Sequence, residues 1–531
     1  MKIFILCLAA AQAQTIDIGS RKQLFIDHKF IESAEGIRLT VNAPYQTREK
    51  LVTADAPWEK DAHLGVYSTV AQEGGKIRMW YDVRAGEREA GKNPPFMGLA
   101  YAESRDGLRF EKPVLNLVER NGTKRNNLVF PTDPGKIAVG GGSVWRDENP
   151  AAPEGERYKS WSKVYPKPGS GLTGPHRVWT SPDGIHWKLD ERLVTGLRAA
   201  DTQPSWFWDP RVRRYIGYSR EWVRDRSIGF GARHASYNES DDMFRWDSMQ
   251  FVLGPDERDA AAGAPMLIDE RKIVVQGEDV LPPARRRAGG QIGNASQDAV
   301  LTPVTPLDFY GPGVFPYEGV YLALIPVFYH WAGEGITTVP STFDVQFAVS
   351  RDGRNFTRPG PRAPFLRTGP AGSFDSKMIY PALRPVRMGN ELWIYYTGTN
   401  HDHSSRVDPQ SPKEEVAISR AVMRVDGFVS ADADYEGGSI LTPPLRFTGS
   451  RLELNVDTSA GGVVRVEIQE ESGKPVAGFA MHEALETTAN DVKAVARWKN
   501  GADVTALAGK TVRLRFLMRS AKLYAFQFAE K

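Results

Sequence analysis

Apolar and polar residues alternate along most of this chain with the period of a β-strand, in short runs broken by glycine, proline and aspartate. "IRMWYDV", "RYKSWSKVY", "RYIGYSREW", "VYLALIPVFYHW" and "ELWIYYTGT" are such runs. A tight turn precedes each of them, and one more strand-like segment precedes the turn. A longer polar loop and a third strand follow, ending in a turn of repeated type. Three of these turns read Ser-x-Asp-Gly-x-x-aromatic, starting at Ser104, Ser181 and Ser350, and looser copies start at Ser240 and Ser419. Asp-Gly suits a short connection because glycine tolerates positive φ and the aspartate caps the turn.

Five matched units of this kind predict an all-β fold, a five-bladed β-propeller over residues 14–438 with an insertion at about 255–305. The segment "LFIDHKFIE" at 24–32 is expected to add a strand to the last blade and close the ring. From about Ile440 the pattern becomes "LELNVDT", "VVRVEIQE", "VRLRFLM" and "LYAFQFA", which predicts a separate β-sandwich over 439–531. A chain of 531 residues is too long for one ordinary core, and 50 Gly and 36 Pro beside 13 Trp and 18 Tyr fit many turns between aromatic-rich strands.

The N-terminus, "MKIFILCLAAAQAQ", has a positive start, a short apolar run and an Ala-x-Ala site, so residues 1–13 are expected to be a secretory signal cleaved after Ala13. The run is too short to span a bilayer, and no later stretch reaches that length. The expected location is secreted or periplasmic. Cys7 is the single cysteine, so the mature chain holds no disulfide and relies on its core. A net charge of +3 from 68 basic and 65 acidic residues argues against a nucleic-acid partner, and Arg285-Arg286-Arg287 reads as a solvated loop. No cofactor motif is present.

In a propeller the long second-to-third strand loops share one face with the starts of the first strands, and binding sites gather on such loop-rich faces. The carboxylates expected there, as catalytic candidates, are Asp61, Asp201, Glu221 and Asp375. Around them His63, Asp82, Arg84, Gln203, Tyr310, His330, Trp331, Lys377, Tyr380 and His401 are expected to bind substrate. Carboxylates, cations and exposed aromatics around an axial pocket suit a carbohydrate, whose apolar faces stack on rings while its hydroxyls meet charge. Asp106, Asp183 and Asp352 belong to the repeated turns and read as structural. His401-x-His403 is an incomplete ligand set, and no metal is predicted from it.

The motif "SPDGIHW", the stretches "FPYEGVYLALIPVFYHW" and "FDSKMIYPALRPV", the signal segment and the closing sandwich together resemble secreted bacterial glycoside-hydrolase-like proteins. These are similar to the five-bladed propeller families 32, 43, 68 and 130. The resemblance implies an Asp on the first blade as base or nucleophile and a Glu on a later blade as acid. Here "PWEKDAHLGVYSTV" offers Glu59 and Asp61, without the Trp-Met-Asn-Asp-Pro-type stretch of family 32, and Glu221 and Glu318 are the nearest glutamates. Two carbohydrate functions follow, beside a third class, a protein-interaction propeller, which predicts a flat loop face with no pocket. One is an exported glycoside hydrolase using Asp61 or Asp201 with Asp375 or Glu221. The other is a non-catalytic carbohydrate-binding propeller.

Overall fold

The computed structural model describes residues 14–85, 96–130, 137–166, 176–197, 202–222, 233–259, 307–330, 341–403 and 407–530, with the main chain alone at 137–142, 162–166, 176, 222, 330 and 341. The signal segment expected at 1–13, most of the insertion expected at 255–305, Asp201 and Trp331 lie outside the described residues. What is described is almost wholly β and divides into two compact units.

The larger unit, Pro44–Arg358 with Arg362–Met423, holds five antiparallel sheets that follow one another along the chain. The first is Ala62–Glu73, Lys76–Ala85 and Phe96–Ser104. The second is Ile137–Arg146, Tyr158–Pro166, His176–Ser181 and Lys188–Leu189. The third is Ser205–Asp209, Arg214–Trp222, Arg233–Ser240 and Gln250–Leu253. In the fourth, Leu307–Phe309 and Gly313–Tyr317 both pair with Val320–His330, followed by Ser341–Ser350 and Phe356–Thr357. In the fifth, Met378–Pro381 and Val386–Met388 pair with Glu391–Thr399, followed by Val416–Arg424. Neighbouring sheets touch in order, and the fifth touches the first.

Turn chemistry explains the strand spacing. Glu73 pairs with Lys76 across Gly74-Gly75, whose φ angles of 59° and 73° are the positive values that a two-residue hairpin turn of this hand demands. In the repeated turn, Gly107 N donates to Ser104 Oγ at 2.8 Å, while Leu108 N and Arg109 N donate to Asp106 Oδ1 at 2.8 and 2.9 Å. The same bonds recur at Ser181/Asp183 and at Ser350/Asp352. They recur again at Ser240/Asp242, where Met243 takes the glycine's place at φ 68°.

These turns also fasten sheet to sheet. Trp80 Nε1 donates to the carbonyl of Gly184 at 2.7 Å, Tyr218 Oη to Gly353 at 2.7 Å and Tyr395 Oη to Gly107 at 2.8 Å. In each case an aromatic residue on the second strand of one sheet holds the turn of its neighbour. The copy read at Ser419 differs, because Ser419 lies inside Val416–Arg424 and the strand runs on past it. Between the sheets lie aromatic clusters, such as Trp80, Phe130, Trp179 and Trp187, or Trp145, Trp161, Trp206 and Trp246. Each large side chain buried in this way contributes about 1.5–3 kcal/mol of hydrophobic stabilisation.

The smaller unit is built from both ends of the chain, from residues up to Ala43 and from Arg424 on, with Pro359–Pro361. One six-stranded sheet runs Ile16–Gly19, Leu445–Phe447, Thr511–Arg519, Gly438–Leu441, Ser33–Glu35, with Val463–Glu470 also on Thr511–Arg519. The other runs Asn490–Val495, Arg451–Asp457, Ala521–Ala529, Val429–Ala433, Ile37–Val41, with Gln23–Leu24 also on Ala521–Ala529. Residues alternate in and out along these strands, and Ile18, Phe25, Leu454, Phe516 and Phe526 share one core.

Residues 24–32 therefore do not close the fifth sheet. Phe25 packs on Phe516 and Phe526, and Phe30 on Phe526, with ring centres 5.6–5.8 Å apart. Burying two phenylalanines in this core outweighs adding an edge strand elsewhere. The strand that completes the fifth sheet is Tyr45–Gln46, paired with Val422 and Ala421. The unit boundary likewise falls at Met423/Arg424, ahead of the 438/439 expected, because Val429–Ala433 pairs with Ala521–Ala529.

Candidate functional site

Most of the long second-to-third strand loops lie outside the described residues, but the strand ends that carry them hold buried charge. In the first sheet the pairing runs Ala62↔Ala85, His63↔Arg84 and Leu64↔Val83, then slips and resumes at Ser68↔Tyr81. Bulges of this kind re-aim side chains and are frequent beside functional sites. A Cβ on Gly65, inside the slip, would lie 2.5 Å from Asp82 Cβ and 3.1 Å from Arg84 Nε. The glycine therefore leaves room for an acid and a base to lie across this first strand. Asp82 is buried, and Arg84 is partly so.

Buried charge gathers in the third and fourth sheets too. Arg220 and Glu221 near the end of Arg214–Trp222 are both buried, and Glu221 stands opposite His234. Arg233 N donates to Asp308 Oδ1 at 3.1 Å, and the Arg233 guanidinium pairs with Asp308 Oδ2. Burial lowers the pKa of Arg233 and the Asp308 carboxylate works against it. Arg177, at the start of the third strand of the second sheet, is buried and lowered for the same reason.

Tyr310 is the centre of the cluster. The Arg220 guanidinium lies 5.3 Å from its ring, and Phe328, Phe343 and His403 meet the ring edge-on at 4.7–5.4 Å. Tyr310 Oη and His403 Nε2 are 2.9 Å apart. Tyr380 lies edge-on to Tyr310 at 6.1 Å and to Tyr67 of the first sheet at 6.0 Å. Where the sheets meet, Tyr67, Gln203, Tyr310, Pro326, Tyr380 and Leu383 line one small cavity. Gln203 Nε2 reaches across to Ser68 O at 3.2 Å and Thr69 Oγ1 at 3.3 Å.

The remaining predicted residues fall elsewhere. Asp61 is exposed and pairs with Arg120 at 2.6 Å, which holds its carboxyl below the usual range. Asp375 is fully buried, accepting from Ser373 Oγ at 2.8 Å and Tyr396 Oη at 3.1 Å, with Arg48 Nε at 3.5 Å. Lys377 Nζ is 3.9 Å from Asp408. His401 Nε2 lies 3.3 Å from Glu414, so the two histidines of His401-x-His403 have different partners. His330 is described by its main chain alone, opposite Ser341. Among the described residues no three His, Cys, Asp or Glu are placed to hold a metal. No described helix is long and apolar enough to cross a membrane.

Sequence reasoning passed over Arg177, Arg220 and Arg233. For Arg220 the signal was present, since an arginine inside a run as aromatic as "YIGYSREW" cannot be solvated on both faces. It also passed over Asp344 in Ser341–Ser350, whose carboxyl burial pushes up to about 7, with Tyr329 Oη donating at 3.2 Å.

No family model and no curated protein matches the chain. Solved structures similar to it include a glycoside hydrolase at 14% identity and TM-score 0.42, covering 72% of this chain and 92% of that one. An N-acetylgalactosamine deacetylase from F. plautii, in complex with blood group B trisaccharide, aligns at 15% identity and TM-score 0.42 over 73% of this chain and 96% of that one. The family 32 β-fructofuranosidase of Bombyx mori aligns at 8% identity and TM-score 0.35, over 88% and 92%.

Proposed function

We propose that this chain is an exported glycoside hydrolase, its five sheets the blades of a propeller and its smaller unit a closing β-sandwich. The observation that carries the reading is the bulge at Gly65, which leaves room for buried Asp82 and Arg84 across the first strand of the first sheet. Glu221 and Arg220 occupy the loop-side end of the second strand in the third sheet. Glycoside cleavage needs two carboxyl groups on different elements, one to protonate the leaving oxygen and one to activate water or attack the anomeric carbon. Asp82 and Glu221 are the pair we assign. Arg84, Arg220, Tyr310 and Tyr380 orient the sugar through hydroxyl contacts and ring stacking. In this reading Asp61 and Asp375 serve the fold.

Purified full-length protein assayed for reducing-sugar release on a panel of plant and bacterial glycans tests the assignment. Release from at least one glycan is expected, with kcat lowered about 100-fold or more in D82N and in E221Q. Wild-type rates in both variants would overturn the pair. Glycan binding without release from any of the panel would favour the second reading, a non-catalytic carbohydrate-binding protein, which the arginine and aromatic surround of Tyr310 would also suit.

A further inference from the structure

The smaller unit carries a charge pattern that its fold does not require. Pairing sets Arg38 opposite Asp432, Asp432 opposite Lys522 and Lys522 opposite Asp457. Cation and anion thus alternate across four neighbouring strands on one face of one sheet. At about 4.8 Å between strands, the row spans about 14 Å. These four residues, with Ser459 and Ser520, line an open cleft of about 510 Å³, within the usual range of ligand sites. Ser459 and Ser520 hold φ angles of 49° and 46°, a conformation non-glycine residues adopt at a cost and one that concentrates at ligand sites.

We infer that this cleft is a second glycan-binding site, separate from the cluster around Tyr310. The row sums to zero charge and Asp434 brings the lining to three carboxylates against two cations, so neither an anion nor a cation would meet charge of one sign. A sugar hydroxyl both donates and accepts, and adjacent hydroxyls can therefore bridge a carboxylate and the cation beside it. Lys522 Nζ already holds Asp432 at 2.7 Å and Asn42 Oδ1 at 3.1 Å, which fixes the middle of the row. Arg38 forms no ion pair among the described residues and is exposed. Tyr435 is the aromatic this inference assigns to stack on the sugar. It follows Asp434, a lining residue of the cleft, in a tight turn closed by Gly437 N to Asp434 O at 3.2 Å, and it is 78% exposed. An exposed tyrosine next in sequence to a lining residue offers a pyranose an apolar face, while the charged row meets the hydroxyls at its edge.

Affinity electrophoresis of the full chain in gels containing soluble arabinan, xylan or galactomannan tests the site. Wild type is expected to be retarded by at least one polymer, with Y435A and D457A each losing about tenfold or more of that affinity. Both positions belong to the smaller unit and Asp82 and Glu221 to the larger, so both variants should release reducing sugar from a short oligosaccharide at the wild-type rate. D82N should keep the retardation, which separates failure of this site from failure of the proposed activity. No retardation of wild type in any gel, or wild-type retardation of both Y435A and D457A, would overturn the inference.

Discussion

The indole N–H of Trp80 in the first sheet donates to the carbonyl of Gly184 in the second at 2.7 Å, and a Cβ on that glycine would stand 2.8 Å from the same ring. Gly184 also holds φ at 76°. Gly184→Ala must both strain the turn and part the two sheets, with an expected cost of about 2 kcal/mol or more. Gly155 is the control, since a Cβ there meets nothing within 4 Å. Chemical denaturation should therefore show a lowered midpoint for G184A and a near wild-type one for G155A.

Arg233 and Asp308 join the third sheet to the fourth as a largely buried ion pair. Removing one partner leaves the other charge buried, at about 3 kcal/mol or more. D308A is expected to be less stable than the double variant R233A/D308A. A denaturant-based double-mutant cycle measures this, and equal losses that simply add would refute the coupling.

Two aspartates that look alike in sequence should respond in opposite ways. Asp61 is an exposed partner of Arg120, and D61A is expected to cost less than about 1 kcal/mol. Asp375 accepts from Ser373 and Tyr396 in full burial, and D375A strands both donors at about 2–4 kcal/mol. Thermal melts of the two variants side by side decide the matter.

Asp344 gives a pH signature. Its carboxyl is raised to about 7 in the folded chain from an ordinary value of 3.8. Below 3.8 both states hold the proton. Between 3.8 and about 7 the unfolded chain releases it while the folded chain keeps it, so stability falls as pH rises through that window. D344N removes the penalty. The melting temperature of D344N minus that of wild type should grow from pH 4 to pH 8, and a constant difference would contradict the assignment.

The parts of the fold written in local chemistry were legible in the sequence. Ser-x-Asp-Gly turns declare themselves because all their bonds close within six residues. Even the copy at Ser240 was readable, although Met243 replaces the glycine. Long-range pairings were not legible, because nothing within "LFIDHKFIE" tells a strand for the fifth sheet from a core segment packed on Phe516 and Phe526, about five hundred residues away. The same limit applied to the site. Asp61 differs from Asp82 only in what surrounds it, an arginine 59 positions on in one case and a bulged strand in the other. Burial of Arg220 follows from the aromatic run that carries it, whereas Arg233 opens the strand "RHASYNES" and its burial depends on Asp308, 75 positions away.

Ile16–Gly19 lies in parallel register beside Leu445–Phe447, and Gln23–Leu24 pairs with Phe526 and Ala525. During synthesis the first forty residues leave the ribosome long before their partners exist. Pro44–Met423 can complete its sheets while the chain is still growing, but the smaller unit must wait for the last strand. Its N-terminal segment meanwhile carries uncovered Phe25 and Phe30, the kind of exposure that chaperones bind. A chain cut short near its C-terminus would then keep five assembled sheets and a permanently unpaired leading segment.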